Sequence, residues 1–266
     1  MWVEPDTNMP CGESLVRQLL YGKRFFREEF GVDVRNLWLP DVFGYSAALP
    51  QLLRLAGIDA FLTQKLSWSQ FNHFPHTTFR WRGIDGSEVL THFPPESNYN
   101  SNLSPASLRK ASNNFEERGF IGEFLTLFGI GDGGGGPTER MLQTGRRFAD
   151  FPSCPKVEFG PAQPMFDRLQ EHWDQLPTWV GELYLELHRG TLTSQARTKQ
   201  GNRRCELALR RVEMLAAAGA PAHYPAEDLE AFWKTVLLNQ FHDILPGSGI
   251  TEVYQDAEAD YERVLK

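Results

Sequence analysis

The sequence predicts an α/β protein with a largely parallel sheet, and three observations predict it. Short apolar runs alternate with longer segments of helical periodicity, Gly, Pro and Asp punctuate the junctions, and beyond about residue 193 the alternation gives way to helical pattern alone. The chain has 266 residues, enough for one large domain or for one domain and part of another. Twenty-seven Lys and Arg against 34 Asp and Glu leave a formal charge of −7, which argues against nucleic acid or a membrane surface as partner, since both need clustered positive charge. No stretch approaches 18 consecutive apolar residues, and residues 1–6 carry neither a basic region nor an apolar run, so neither a membrane span nor a signal peptide is expected. Cys11, Cys154 and Cys205 are odd in number and far apart, which suits a reducing compartment such as the cytoplasm and excludes a disulfide scaffold.

Each element follows from a local signal. Ser14, Leu15, Leu19, Phe26 and Phe30 set out a helix that Gly31 stops. Residues 32–39 read as a strand ending at Pro40-Asp41; Pro50 opens a helix that Gly57 closes, and Ile58 to Thr63 is again strand-like. Segment 79–93 reads as a hairpin turning on Asp85-Gly86. After a polar loop at 96–105 the pattern predicts a helix at 106–117, a strand at 122–130, a glycine loop and a helix at 138–149. A strand at 157–159, a helix at 164–174 and a strand at 178–180 follow. Helices are expected at 202–218, at 226–245 and from Thr251 onward, the start of a helical bundle, so the division falls into residues 1–192 and 193–266.

Three constellations could carry chemistry. Asp41, in Trp38-Leu39-Pro40-Asp41-Val42-Phe43-Gly44, follows a strand, and in parallel α/β folds the carboxyl ends of strands line the site. A nucleophile, a metal ligand and a helix-capping aspartate all fit that position. Asp132 follows the 122–130 segment and precedes Gly133 to Gly136, glycines that allow close approach of backbone to ligand. Gly129, Gly131 and Gly134 also match a dinucleotide fingerprint, but Gly135-Gly136-Pro137 interrupts the helix entry that it needs, so a nucleotide-dependent enzyme is the weaker reading. His242-Asp243 ends a helical stretch, where a histidine either points into a cleft or balances the helix dipole. His73 and His76 flank Pro75 and make a poor ligand pair.

Five strings in order carry a resemblance: residues 38–46, Leu62-Thr63-Gln64-Lys65-Leu66-Ser67-Trp68-Ser69-Gln70, Gly131-Asp132 with Gly133 to Thr138, residues 181–190, and Gln240-Phe241-His242-Asp243. Together they resemble α-mannosidases of glycoside hydrolase family 38, in the branch of cytosolic and fungal vacuolar enzymes. The resemblance implies a zinc-dependent retaining hydrolase of mannose-containing oligosaccharides, built on a (β/α) barrel-like domain followed by a helical bundle. It implies Asp41 as nucleophile and metal ligand and His242 as a metal ligand. Asp243, Lys65 and Trp38 are then substrate-binding residues, and Asp132 is the general acid, although its glycine loop differs from the acidic motif of Golgi-type relatives. A retaining mechanism needs one ionised and one protonated carboxyl about 5–5.5 Å apart.

Family members also carry a His-x-Asp pair on the first barrel strand, and no His-x-Asp occurs here. The chain is therefore expected to be an internal piece of such an enzyme with an incomplete barrel, retaining only Asp41 and His242 of the metal site. A catalytically inert, carbohydrate-binding segment is the alternative. The oligomeric state is not readable.

Overall fold

The computed structural model describes residues 1–219 and 224–266. Two units emerge: an α/β unit of residues 35–41 and 47–186, and a helical unit of residues 1–34, 42–46 and 187–266.

A five-stranded mixed sheet organises the α/β unit. Its strands are β1 (Asn36–Trp38), β2 (Ala60–Leu62), β3 (Thr78–Arg82), β4 (Glu88–His92) and β5 (Thr178–Val180), in the order β1-β2-β4-β3-β5. Only the β3–β4 hairpin is antiparallel; β1–β2, β2–β4 and β3–β5 are parallel. The helices are α2 (Leu49–Leu55), α3 (Pro105–Asn114), α4 (Glu139–Arg147) and α5 (Gln163–Leu169). Strand alternation sorts β2 cleanly. Ala60 and Leu62 join Leu90, Phe115, Ile121, Met165, Phe166, Leu169 and Leu176 in one core, while Phe61 between them packs on Trp81 with ring centroids 5.1 Å apart. Helix starts carry the expected caps. Ser104 Oγ accepts the Ser107 N–H ahead of α3, whose first residue is Pro105, and Thr138 Oγ1 accepts the Met141 N–H ahead of α4.

Among its described residues the helical unit gathers the α-helices α1 (Gly12–Phe30), α6 (Ala196–Gly219), α7 (Ala226–Leu238) and α8 (Thr251–Leu265). Gly31 ends α1 in the left-handed conformation (φ 66°), its N–H returning to Arg27 O and that of Val32 to Phe26 O, the paired closure that favours glycine. Tyr21 of α1, Cys205 and Leu209 of α6, Trp233 and Val236 of α7, and Ala257 and Tyr261 of α8 form one buried core. Gly201 lets α6 approach α8 closely, since a Cβ there would stand 2.4 Å from the Tyr261 ring. Burial pushes the Cys205 thiol up to about 12, as befits an inert core cysteine.

Four expectations need correction. Residues 122–130 form no regular strand, and Phe128 makes only an isolated bridge with Ser101. Both edges of β4 are already taken, by β2 and β3, so the Leu125 N–H donates instead to the buried Nε2 of His92 (3.1 Å). Residues 157–159 also stay irregular, Val157 docking beside Phe148 through a single backbone bond. The hairpin turns through the five-residue loop 83–87 rather than two residues, with Gly86 at φ 87° and Asp85 accepting both the backbone and the hydroxyl of Ser87. Finally, α7 stops at Leu238, so His242 lies in the turns beyond it.

His92 supplies a pH test. Fully buried, with Nδ1 2.9 Å from the Thr78 hydroxyl and Nε2 accepting from Leu125, its ring is driven by burial from 6.5 to about 3. The native state therefore holds it neutral while the unfolded chain protonates it below 6.5. The contribution is fully present above that pH and is lost as pH falls toward 3, by about 1.4 kcal/mol per pH unit at most. Urea unfolding between pH 7 and 4 should show a steeper loss of stability for the wild type than for His92→Gln. Equal slopes would contradict the assignment.

Candidate active site

The carboxyl ends of β1 and β2 carry Asp41 and Lys65. The parallel register pairs Asn36 with Ala60, Leu37 with Phe61 and Trp38 with Leu62, an offset of 24 that also separates Asp41 from Lys65 and Pro40 from Gln64. Leu39 N–H continues the ladder to Leu62 O (3.1 Å). Past the last rung the backbones separate and the side chains take over. Gln64 Nε2 donates to Pro40 O at 2.7 Å, and Lys65 Nζ forms an ion pair with Asp41 Oδ1. The Lys65 side chain is 4% exposed and that of Asp41 27%, so the ammonium is desolvated behind a carboxylate that still meets solvent. The Trp68 ring lies 4.0 Å from Lys65 Nζ and gives the cation a second favourable surface. Trp38, the last residue of β1, is half-exposed.

His242 and Asp243 belong to the helical unit. The segment Glu4–Asp6 runs antiparallel to Gln240–His242: Asp6 N–H bonds Gln240 O (2.9 Å) and His242 N–H bonds Glu4 O (3.0 Å). This fixes the buried His242 ring, whose Nδ1 faces Glu4 O at 3.3 Å and the Glu4 carboxylate at 3.5 Å. Its Nε2 faces Asp243 Oδ2 at 3.6 Å, so acceptor oxygens stand opposite both ring nitrogens. Phe43 stands edge-on to His242 (6.1 Å) and packs on His188 (4.8 Å). The Asp243 side chain is half-exposed and accepts the Ser248 hydroxyl at 2.7 Å. Beneath the strand pair, Glu206 (1% exposed) accepts the Cys11 N–H, the Ser14 hydroxyl and the Gln240 amide, tying α1 and α6 to the segment that carries His242. Burial raises the Asp6 carboxyl, against the opposing hydrogen bonds of Met9 and Asn8.

Asp132 is exposed on the glycine loop of the α/β unit, at φ 55°. The preceding Gly131 N–H bonds Asn100 Oδ1 (2.6 Å), and a Cβ on Gly131 would meet that oxygen and the Tyr99 ring at 2.8 Å, so glycine is required there. The loop holds its backbone through Asn100 and leaves the Asp132 side chain in solvent.

A model of the glycosyl hydrolases family 38 N-terminal domain matches residues 1–182, and one of the alpha mannosidase middle domain matches residues 186–266. The chain belongs to glycosyl hydrolase family 38. It is 49% identical to alpha-mannosidase G of Dictyostelium discoideum and 48% identical to alpha-mannosidase 2C1 of Homo sapiens, over 99% of its length in each case, and 47% identical to an alpha-mannosidase of Saccharomyces cerevisiae over 96%. It spans about a quarter of these curated relatives, 24%, 26% and 25% of their lengths. A solved alpha-mannosidase from Enterococcus faecalis V583 shares the fold with a TM-score of 0.83 at 22% identity, covering 98% of this chain and 31% of that one.

Sequence reading missed Glu4, Phe43 and Gln64. Gln64 had a signal, the shared offset of 24 past two neighbouring parallel strands; Glu4 and Phe43, brought to His242 by a single pair of backbone bonds and by ring packing, had none.

The family's metal finds too few donors here. Among the described residues no group of three or more His, Cys, Asp or Glu side chains comes together to hold one, and Asp41 is already engaged by Lys65. A catalytic zinc normally takes three protein ligands. Zinc titrated calorimetrically into the metal-stripped chain should therefore bind more weakly than micromolar. Tight, stoichiometric binding would show that these 266 residues hold a complete site.

Proposed function

We propose that the chain carries the nucleophile side of a retaining α-mannosidase acting on mannose-containing oligosaccharides. The observation that carries the reading is the Asp41–Lys65 pair at the ends of two neighbouring parallel strands, in a chain close in sequence to named α-mannosidases over nearly its whole length. Lys65 binds Oδ1 and orients the carboxylate; Oδ2 attacks the anomeric carbon, forming a glycosyl–enzyme ester as the glycosidic bond breaks. Asp132 protonates the departing oxygen and then, as the base, takes a proton from the water that cleaves the ester. The glycine loop leaves Asp132 exposed and free of neighbouring side-chain bulk, so that a substrate can approach it. Trp38 offers an exposed aromatic face for a sugar ring, Lys65 fixes the acid beside it, and Asp243 accepts sugar hydroxyls. His242 is the imidazole that the family resemblance marks as a zinc ligand, and no step here is routed through a metal.

Residues 1–192 are assigned to catalysis and 193–266 to the helical bundle. Three unbridged cysteines favour a cytoplasmic setting, and among the described residues no helix is long and apolar enough to cross a membrane. The shortage of metal donors favours a second reading, a segment that binds mannosides without turning them over.

Asp41→Asn should remove turnover of an aryl α-mannoside while the fold persists, because an amide still accepts from Lys65 but cannot attack carbon. An Asn variant that keeps most of its activity would make Asp41 a loop cap. Mannoside binding with no hydrolysis by the wild type would support the second reading. Asp132→Asn should cost far more on alkyl mannosides than on activated aryl ones, which need little protonation. Equal losses on both would remove Asp132 as the acid.

A further inference from the structure

Gln64 is the side chain that this reading does not use and the structure singles out. It is 3% exposed, and its Nε2 donates to the main-chain carbonyl of Pro40, the residue before Asp41, at 2.7 Å. Its Oε1, equally buried, bonds no other atom among the described residues. A buried amide with one end unmade is a costly way to fill space, and an apolar residue of the same length would avoid that cost. What an apolar residue could not do is hold the Pro40 carbonyl.

That carbonyl matters because of the chemistry of the Pro40–Asp41 peptide. The pyrrolidine ring fixes φ at Pro40, so the only soft dihedral remaining at that residue is ψ. The direction of the Pro40 carbonyl reports that ψ, and in a planar peptide it also fixes the N–H of Asp41 and the frame from which its side chain projects. The hydrogen bond from Gln64 therefore removes the last free rotation leading into Asp41. Gln64 and Lys65 are consecutive: the first grips the backbone entering the acid, the second grips the carboxylate. Backbone on both sides holds the pair in place. Thr63 N–H bonds His92 O at the end of β4 (3.4 Å), and Thr63 Oγ1 accepts the Lys65 N–H (3.1 Å).

We propose that Gln64 is a positioning residue for Asp41, setting the Pro40–Asp41 peptide plane so that the carboxylate meets both Lys65 and the substrate. The inference rests on the reading of Asp41 as nucleophile, but its geometric part can be tested without turnover. Two variants remove the donor. Gln64→Glu keeps the volume, and at pH 7 offers no hydrogen to the carbonyl; Gln64→Met keeps the length with no polar end. The first readout is the amide signal of Asp41 in two-dimensional 1H–15N spectra. The second is kcat and KM for an aryl α-mannoside.

Both variants should unfold cooperatively and keep the signals of the β3–β4 hairpin, while the Asp41 amide shifts and broadens. Where turnover is present, kcat should fall about tenfold to a hundredfold with KM within about twofold, the pattern of a misplaced reacting group. An unchanged Asp41 amide in both variants would overturn the proposal, whatever the activity. So would loss of cooperative unfolding in both, since Gln64 would then be holding the fold rather than the acid. A wild type with no turnover, together with a displaced Asp41 amide in the variants, would count against the α-mannosidase reading and leave the positioning role standing.

Discussion

The register between β1 and β2 is the constraint on which the α/β unit depends. A single offset of 24 runs the length of the strand pair. Ahead of the strands it couples the Arg35 guanidinium to Asp59 (2.6 Å); through the ladder it pairs Asn36–Trp38 with Ala60–Leu62; past the ladder it brings Gln64 to Pro40 and Lys65 to Asp41. A slip by one residue would turn Phe61 away from Trp81 and pull Ala60 and Leu62 out of their core. The hydrophobic pattern that specifies the sheet thus also specifies which cation meets which carboxylate.

Energetically the two ends of the ladder differ. Arg35 is about half exposed and Asp59 partly so, and a solvent-accessible pair of this kind contributes about 0–1 kcal/mol. Lys65 is almost fully desolvated, and burying an ammonium is tolerable only with a counter-charge and a favourable surface, here Asp41 and the Trp68 ring. The site end therefore depends on its partner in a way that the other end does not.

Much of this was legible in the sequence. Pro40-Asp41 after an apolar run, and Thr63-Gln64-Lys65 after the next, gave both strand ends and the acid, because side chains at those ends are forced toward one rim by the pleat. The α/β class and nearly every helix could be read from period and stop signals. Residues 122–130 misled because apolar content speaks to burial and not to pairing: Phe124, Leu125 and Leu127 do pack on the core, but no edge of β4 is open to receive their backbone. The setting of His242 was illegible for a different reason. It depends on Glu4, which is 238 residues away in sequence and is delivered by two backbone bonds that leave no periodic trace. Gln64 was quoted in the motif but given no role, since the use of its amide appears only when the Pro40 carbonyl is seen opposite it.

The coupling between Asp41 and Lys65 tests this account most directly. A double-mutant cycle of Asp41→Asn, Lys65→Met and the combined variant, read by urea unfolding at pH 7, isolates the pairwise energy. A buried ammonium held by a carboxylate across two strand ends predicts a coupling of about 1–3 kcal/mol, with the double variant more stable than Asp41→Asn alone because it no longer buries an uncompensated charge. Strict additivity, within about 0.3 kcal/mol, would mean that the two groups do not depend on each other and that the register does not build the site.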